Sequence, residues 1–181
     1  TNIGGGGTGN TPRARIARLN GNGTVDMGFD PGADNQVVCL ALQADGKILA
    51  SGFFTAMGGG GSGTPTRKHI ARLQPDGMLD TTFDPGADDV VYGLALQPDG
   101  EIVAGGAFLH IGGGGAGTTP RNRLARLTNN NAGVQDIAFT DNGTTIIWHR
   151  GGGSPEVNRV TFELSTDGIS YTALPAPTRI S

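Results

Sequence analysis

One block of sequence returns at a fixed spacing. Ile16-Ala17-Arg18-Leu19 recurs as Ile70-Ala71-Arg72-Leu73 and as Leu124-Ala125-Arg126-Leu127, a step of 54 residues from 16 to 70 and again from 70 to 124. Phe29-Asp30-Pro31-Gly32-Ala33-Asp34 likewise returns as Phe83-Asp84-Pro85-Gly86-Ala87-Asp88. An unbroken period of this length marks a copied supersecondary unit, and such units bury their apolar faces against one another. The chain is therefore constrained to a stack of like modules. Its 33 glycines and 10 prolines approach the level of low-complexity sequence, but the strict period argues against disorder. The hydrophobic fraction of 36% is low for one compact core.

Within a period the apolar residues fall in short runs between turn signals. Residues 37–42 are followed by Asp45-Gly46 and then by 47–52; a third run spans about 67–73, and after Asp76-Gly77 a fourth spans 78–83. Asp99-Gly100 opens the same hairpin in the next copy. Glycine accepts positive φ in such turns while the aspartate bonds the local backbone. No run of about ten residues keeps a helical apolar period. Four short antiparallel strands per repeat predict an all-β fold of β-propeller-type blades. Glycine runs at 4–7, 58–61 and 112–115 separate the second and third strands. They lack the P-loop spacing and its helix, and read as turns where backbones approach too closely for a Cβ.

Leu94-Ala95-Leu96-Gln97-Pro98-Asp99-Gly100, and Ile70-Ala71-Arg72-Leu73 with Asp76-Gly77-Met78-Leu79-Asp80, closely resemble the delta-60 repeat family. These are bacterial β-propeller repeats of uncharacterised function in large, often surface-associated proteins. The resemblance covers about residues 1–127 and implies an extracellular or cell-surface location. The glycine insertion is longer than that family's loop. After Leu127 the repeat stops, and residues 128–181 resemble the segment that follows the last repeat in such proteins. Alternation of Val160, Phe162 and Leu164 with polar neighbours fits a half-buried strand. Trp148 is expected to anchor a small, incomplete β-sandwich-like region.

Few residues carry chemistry. A net charge of −3 gives no electrostatic reason to bind nucleic acid or an anionic membrane. No apolar segment reaches the roughly 18–20 residues that span a bilayer. Cys39 has no intrachain partner and stands where the next copy has Gly93. The three histidines do not recur and show no metal-ligand spacing. Asp26, Asp30 and Asp34 recur as Asp80, Asp84 and Asp88, a possible calcium set if successive copies converge, or else partners of backbone N–H groups and of the repeated arginine. Arg13, Arg15, Arg67, Lys68, Arg121 and Arg123 follow the glycine loops and are expected to line one rim, as self-association contacts or as charges that protect an edge.

A propeller ordinarily has at least four blades, and this chain holds just over two units. Something else must close or continue the stack. The expectation is a non-catalytic extracellular structural protein that associates head to tail with copies of itself, possibly a filament or surface-assembly subunit. The alternative is a ligand-binding propeller module of a bacterial surface protein, taking glycan, protein or calcium. No cofactor is required by the first reading, and no enzyme signature is present.

Overall fold

The computed structural model describes residues 2–3, 11–60, 65–140, 144–157 and 159–178. Among these there is no helix. The strands are β1 (Asn2–Ile3), β2 (Thr11–Pro12), β3 (Val37–Leu42), β4 (Ile48–Gly52), β5 (Ile70–Leu73), β6 (Val91–Leu96), β7 (Ile102–Gly106), β8 (Leu124–Leu127), β9 (Gly133–Thr140), β10 (Thr145–Gly152), β11 (Glu163–Leu164) and β12 (Thr172–Ala173). Two three-stranded antiparallel sheets, β3-β4-β5 and β6-β7-β8, repeat each other in register at one period. They are blade-like and open, and the described strands do not close into a ring.

The predicted hairpin turns form as the sequence requires. Gly46, Gly77 and Gly100 take φ of 81°, 91° and 89°. Their N–H groups donate to the carbonyls of Gln43, Gln74 and Gln97, each at 2.9 Å. Asp45, Asp76 and Asp99 each accept from the N–H two residues on. This is a type I turn closed by a left-handed glycine, the three-residue hairpin loop.

The fourth strand, expected at 78–83, is reduced to a single bridge between Leu73 and Leu79. Asp80 N–H still donates to Arg72 O at 2.8 Å, but the Asp80 carboxylate then accepts from Thr82 N at 3.0 Å. This Asx turn bends the chain out of the ladder. The third strand is shorter than expected because His69 is left-handed, with φ 67°, and its equivalents Arg15 and Arg123 are too, at 69° and 66°. Left-handed non-glycine residues are strained, so three at one repeat position show that the copied contacts impose the conformation. His69 N–H donates to Phe54 O, and His69 O accepts from Gly52 N.

Three buried clusters hold the stack together. Ile16 and Phe29 of the first copy meet Ala50, Ala71 and Leu73 of the next sheet, with Ile48 and Leu79 against them. Leu49, Ile70 and Phe83 meet Ile102, with Leu94, Leu96 and Leu127 against them. Between these joints, Ala87, Val91, Ala104, Phe108, Ile111 and Ala125 repeat inside the second sheet the packing of Ala33, Ala50, Phe54, Met57 and Ala71. The glycine loop is a close approach. Gly112 N–H donates to Gly86 O at 2.9 Å, and a Cβ on Gly86 would lie 2.4 Å from the Gly115 backbone. The run at 4–7, with Gly61, lies outside the described residues.

No residue of the three clusters comes from 128–181. That region, expected to be sandwich-like, consists of the β9-β10 hairpin and the short β11-β12 pair. Trp148 is half-buried and meets Phe162 edge-on at 6.5 Å. The base of the hairpin is tied to the repeats through their turns. Gly133 N–H donates to Asp99 O, Ala44 N–H to Ser154 O, and Glu156 N–H to Leu42 O.

Candidate functional site

The repeated polar residues are brought together, copy by copy, as a brace. Arg18 donates to Asp26 at 2.8 Å with its guanidinium 4.6 Å from the centre of the Phe29 ring. One period on, Arg72 donates to Asp80 at 2.9 Å and lies 4.6 Å from the Phe83 ring. Each arginine also reaches into the turn of the following copy. Arg18 donates to the Pro75 carbonyl, and Arg72 donates to Asn129 Oδ1 at 2.6 Å and Asn130 Oδ1 at 3.2 Å. Pro75 and Asn129 are themselves one period apart, so the brace spans each joint in the same register.

Burial separates the two braces. The Arg72 and Asp80 side chains are 1% and 2% exposed, against 41% and 25% for Arg18 and Asp26. Lys47 joins the buried pair, its Nζ 3.0 Å from Asp80 Oδ2. The third copy reverses the charges. Val134 stands at the aspartate position and Glu101 at the lysine position, and Glu101 takes up Arg126 at 2.8 Å. A buried cation needs its anion, and in this copy the opposite strand supplies it.

The six aspartates proposed as calcium ligands are not gathered. Among the described residues no group of three His, Cys, Asp or Glu side chains is placed to hold a metal ion. Asp26 and Asp80 serve the braces. Asp34 accepts from Thr55 N and Ala56 N, and Asp88 from Leu109 N and His110 N, tying the Asp-Pro-Gly-Ala-Asp segment to the strand that follows Phe54 or Phe108. Asp30 and Asp84 face Arg13 and Arg67 at 3.6 and 3.3 Å. The calcium-like stretch Asn20 to Asp26 is a turn in which Asn22 Oδ1 accepts from Thr24 N.

The expected basic rim divides in the same way. Arg13 and Arg67 are buried, 8% exposed each, and donate to the carbonyls of Pro12 and Thr66 as well as facing their aspartates. They are interior struts. Arg121 donates to Pro120 O in the same manner, but Ala138 stands where an aspartate would face it, and it is exposed. Arg15 donates to Ala33 O from an exposed position, and Lys68 and Arg123 are exposed. Sequence reading missed the reach of Arg18 and Arg72 into the next copy. The signal lay in the matching steps from Arg18 to Pro75 and from Arg72 to Asn129.

Phe29, Arg72 and Asp80 thus recur within a stretch that can be compared with known proteins. Residues 3–29, 43–83 and 97–131 match the β-propeller family described as Domain of unknown function (DUF5122). The chain belongs to the DUF5122 β-propeller family. The matched segments take in all three arginine braces and the turns that receive them, so the brace is part of the DUF5122 repeat in this chain. No curated protein and no solved structure matches it.

The carboxylates set the acid limit of the DUF5122 repeats. Burial pushes the Asp80 carboxyl upward, but the Thr82 hydroxyl, Lys47, the Thr82 N–H and Arg72 outweigh it and hold Asp80 well below the ordinary carboxylate range. The His110 N–H, the His110 ring and the Leu109 N–H lower Asp88 to about 2. Burial also raises Asp34, and is outweighed by the Thr55 hydroxyl with the Ala56 and Thr55 N–H groups. A carboxylate whose folded-state pKa is depressed contributes stability above its unfolded value, and that stability is lost as pH falls toward the folded value. The melting temperature is therefore expected to be flat from neutrality to about pH 5 and to fall continuously from about pH 4 to pH 2. Thermal melts followed by circular dichroism check this; a steep loss already between pH 7 and 5 would point to other groups.

Proposed function

We propose that this chain is a non-catalytic structural protein of the extracellular space or cell surface that self-associates through the open faces of its blade-like sheets, as a filament or surface-assembly subunit. One comparison between copies carries the reading. Leu94 and Leu96 are half-buried because the preceding sheet covers them, whereas their equivalents Leu40 and Leu42 are 54% and 48% exposed. Beside them, Ile16, Val37, Val38 and Cys39 line an open apolar groove of about 400 Å³. A face built for burial and left bare marks an interaction surface. The polar side chains support the same reading, since most of the repeated carboxylates and arginines are engaged inside the fold. The resemblance to delta-60 repeats, and that of residues 128–181 to the segment following them, agrees with a surface assembly.

Size-exclusion chromatography with light scattering on the 181-residue chain tests the proposal. Mass should rise with concentration from the micromolar range upward. A folded monomer of unchanging mass across that range would overturn it.

A further inference from the structure

The three copies show, position by position, what covers each face. Ile16 and Ile70 are 6% and 0% exposed, while Leu124, one period later, is 64% exposed. Arg18 and Arg72 each bond the turn of the copy that follows, while the Arg126 side chain is 63% exposed and has only Glu101, in a contact without hydrogen-bond geometry. The opposite face shows the complementary deficit. Leu73 is fully buried against Ile16 and Phe29, and Leu127 is half-buried against Ile70 and Phe83, yet Leu19 is 51% exposed. The turn that follows Leu19, Asn20-Gly21-Asn22-Gly23, is exposed throughout. It has the fold of the turn at 74–77, with Asn20 N donating to Thr24 O as Gln74 N does to Met78 O. Gly77 is held against the Phe29 ring, where a Cβ would lie 2.8 Å away, and its equivalent Gly23 has nothing within 4 Å.

Every half of the joint therefore exists twice inside the chain in a filled state and once in a bare state. We infer that the bare halves fit each other: Leu124 and Arg126 of one molecule receive Leu19 and the Asn20-Gly23 turn of a second copy. The Gly21 carbonyl stands where the Pro75 carbonyl meets Arg18, so it is the acceptor for the Arg126 guanidinium. Leu124 covers Leu19 as Ile70 covers Leu127. A second copy is the occupant because the register that joins the copies within the chain continues into it, and because the cation at one end meets a turn rich in carbonyl and amide oxygen at the other. The two surfaces are different, so the contact is heterologous. It propagates as a filament, or closes as a ring if the rotation per step allows.

This inference rests on the self-association proposed above, and the experiment separates the two. Leu19→Lys and Leu124→Lys each place a charge on one half of the joint at an exposed position. Each variant alone should run as a monomer by light scattering with an unchanged melting curve. An equimolar mixture should form a dimer and stop there, because one intact half remains on each molecule. Arg126→Ala should weaken association of the wild-type chain by about tenfold, and Arg126→Glu, away from the apolar contact, should abolish it even if a leucine variant misfolds. If the lysine variants and Arg126→Glu associate as the wild type does, this joint is overturned while self-association stands. If the wild type is itself monomeric, both fall.

Discussion

Asp80→Ala is expected to cost about 3–5 kcal/mol of folding stability, because it leaves the Arg72 guanidinium buried and uncompensated. The pair is almost wholly excluded from solvent, and Lys47 loses the same partner. The repeat supplies its own control. Asp26→Ala removes the equivalent carboxylate from Arg18, whose side chain reaches water, and should leave the urea midpoint close to wild type. The third copy shows how the loss is compensated, with Val134 at the aspartate position and Glu101 at the lysine position. Lys47→Glu combined with Asp80→Val should therefore recover part of the stability lost in Asp80→Val alone. Urea denaturation of the four variants measures these differences. Equal losses from Asp80→Ala and Asp26→Ala would show that burial does not govern the brace.

Gly52→Ala is expected to destabilise by about 3 kcal/mol or more, at the upper end of what overpacking costs. A Cβ on Gly52 would lie 2.2 Å from the Gln36 carbonyl oxygen, and on its equivalent Gly106 2.1 Å from the Val90 carbonyl oxygen. Those carbonyls cannot retreat, since each accepts a hydrogen bond at 2.8 Å, from Phe53 N and from Ala107 N. The ladder bulges opposite, with register shifts between Val37 and Cys39 and between Val91 and Gly93, so the strand crosses directly over the glycine. Gly93 has nothing within 4 Å of its Cβ position and stands where the previous copy has Cys39. Gly93→Ala should be close to neutral. Comparable loss at Gly93 and Gly52 would show that chain entropy, rather than the carbonyl contact, sets the cost.

The first two strands of each sheet were legible at nearly residue resolution. Residues 37–42 were expected and form β3; 47–52 were expected and form β4 from Ile48. Alternating apolar residues between Asp-Gly turns leave one outcome for such short segments. The later strands were less legible because side chains redirect the backbone there. His69 turns left-handed and delays β5, and the Asp80 carboxylate captures the Thr82 N–H and ends the fourth strand after one bridge. For the charged residues, the sequence showed that Asp26, Asp30 and Asp34 recur, but not which cation each one meets.

The period of 54 by itself determined that copies stack, where their turns fall, and that the residues at 16, 70 and 124 face the next copy. Those follow from local chemistry repeated at a fixed interval. Only the tertiary structure decided which copies of a given residue are covered. Leu73 is buried and Leu19 is exposed although both close an Ala-Arg-Leu sequence. Burial depends on what neighbour is present, which identical local sequence cannot encode. The same holds for Arg18, Arg72 and Arg126, alike in sequence and different in solvent exposure because only two of the three have a following turn to bind.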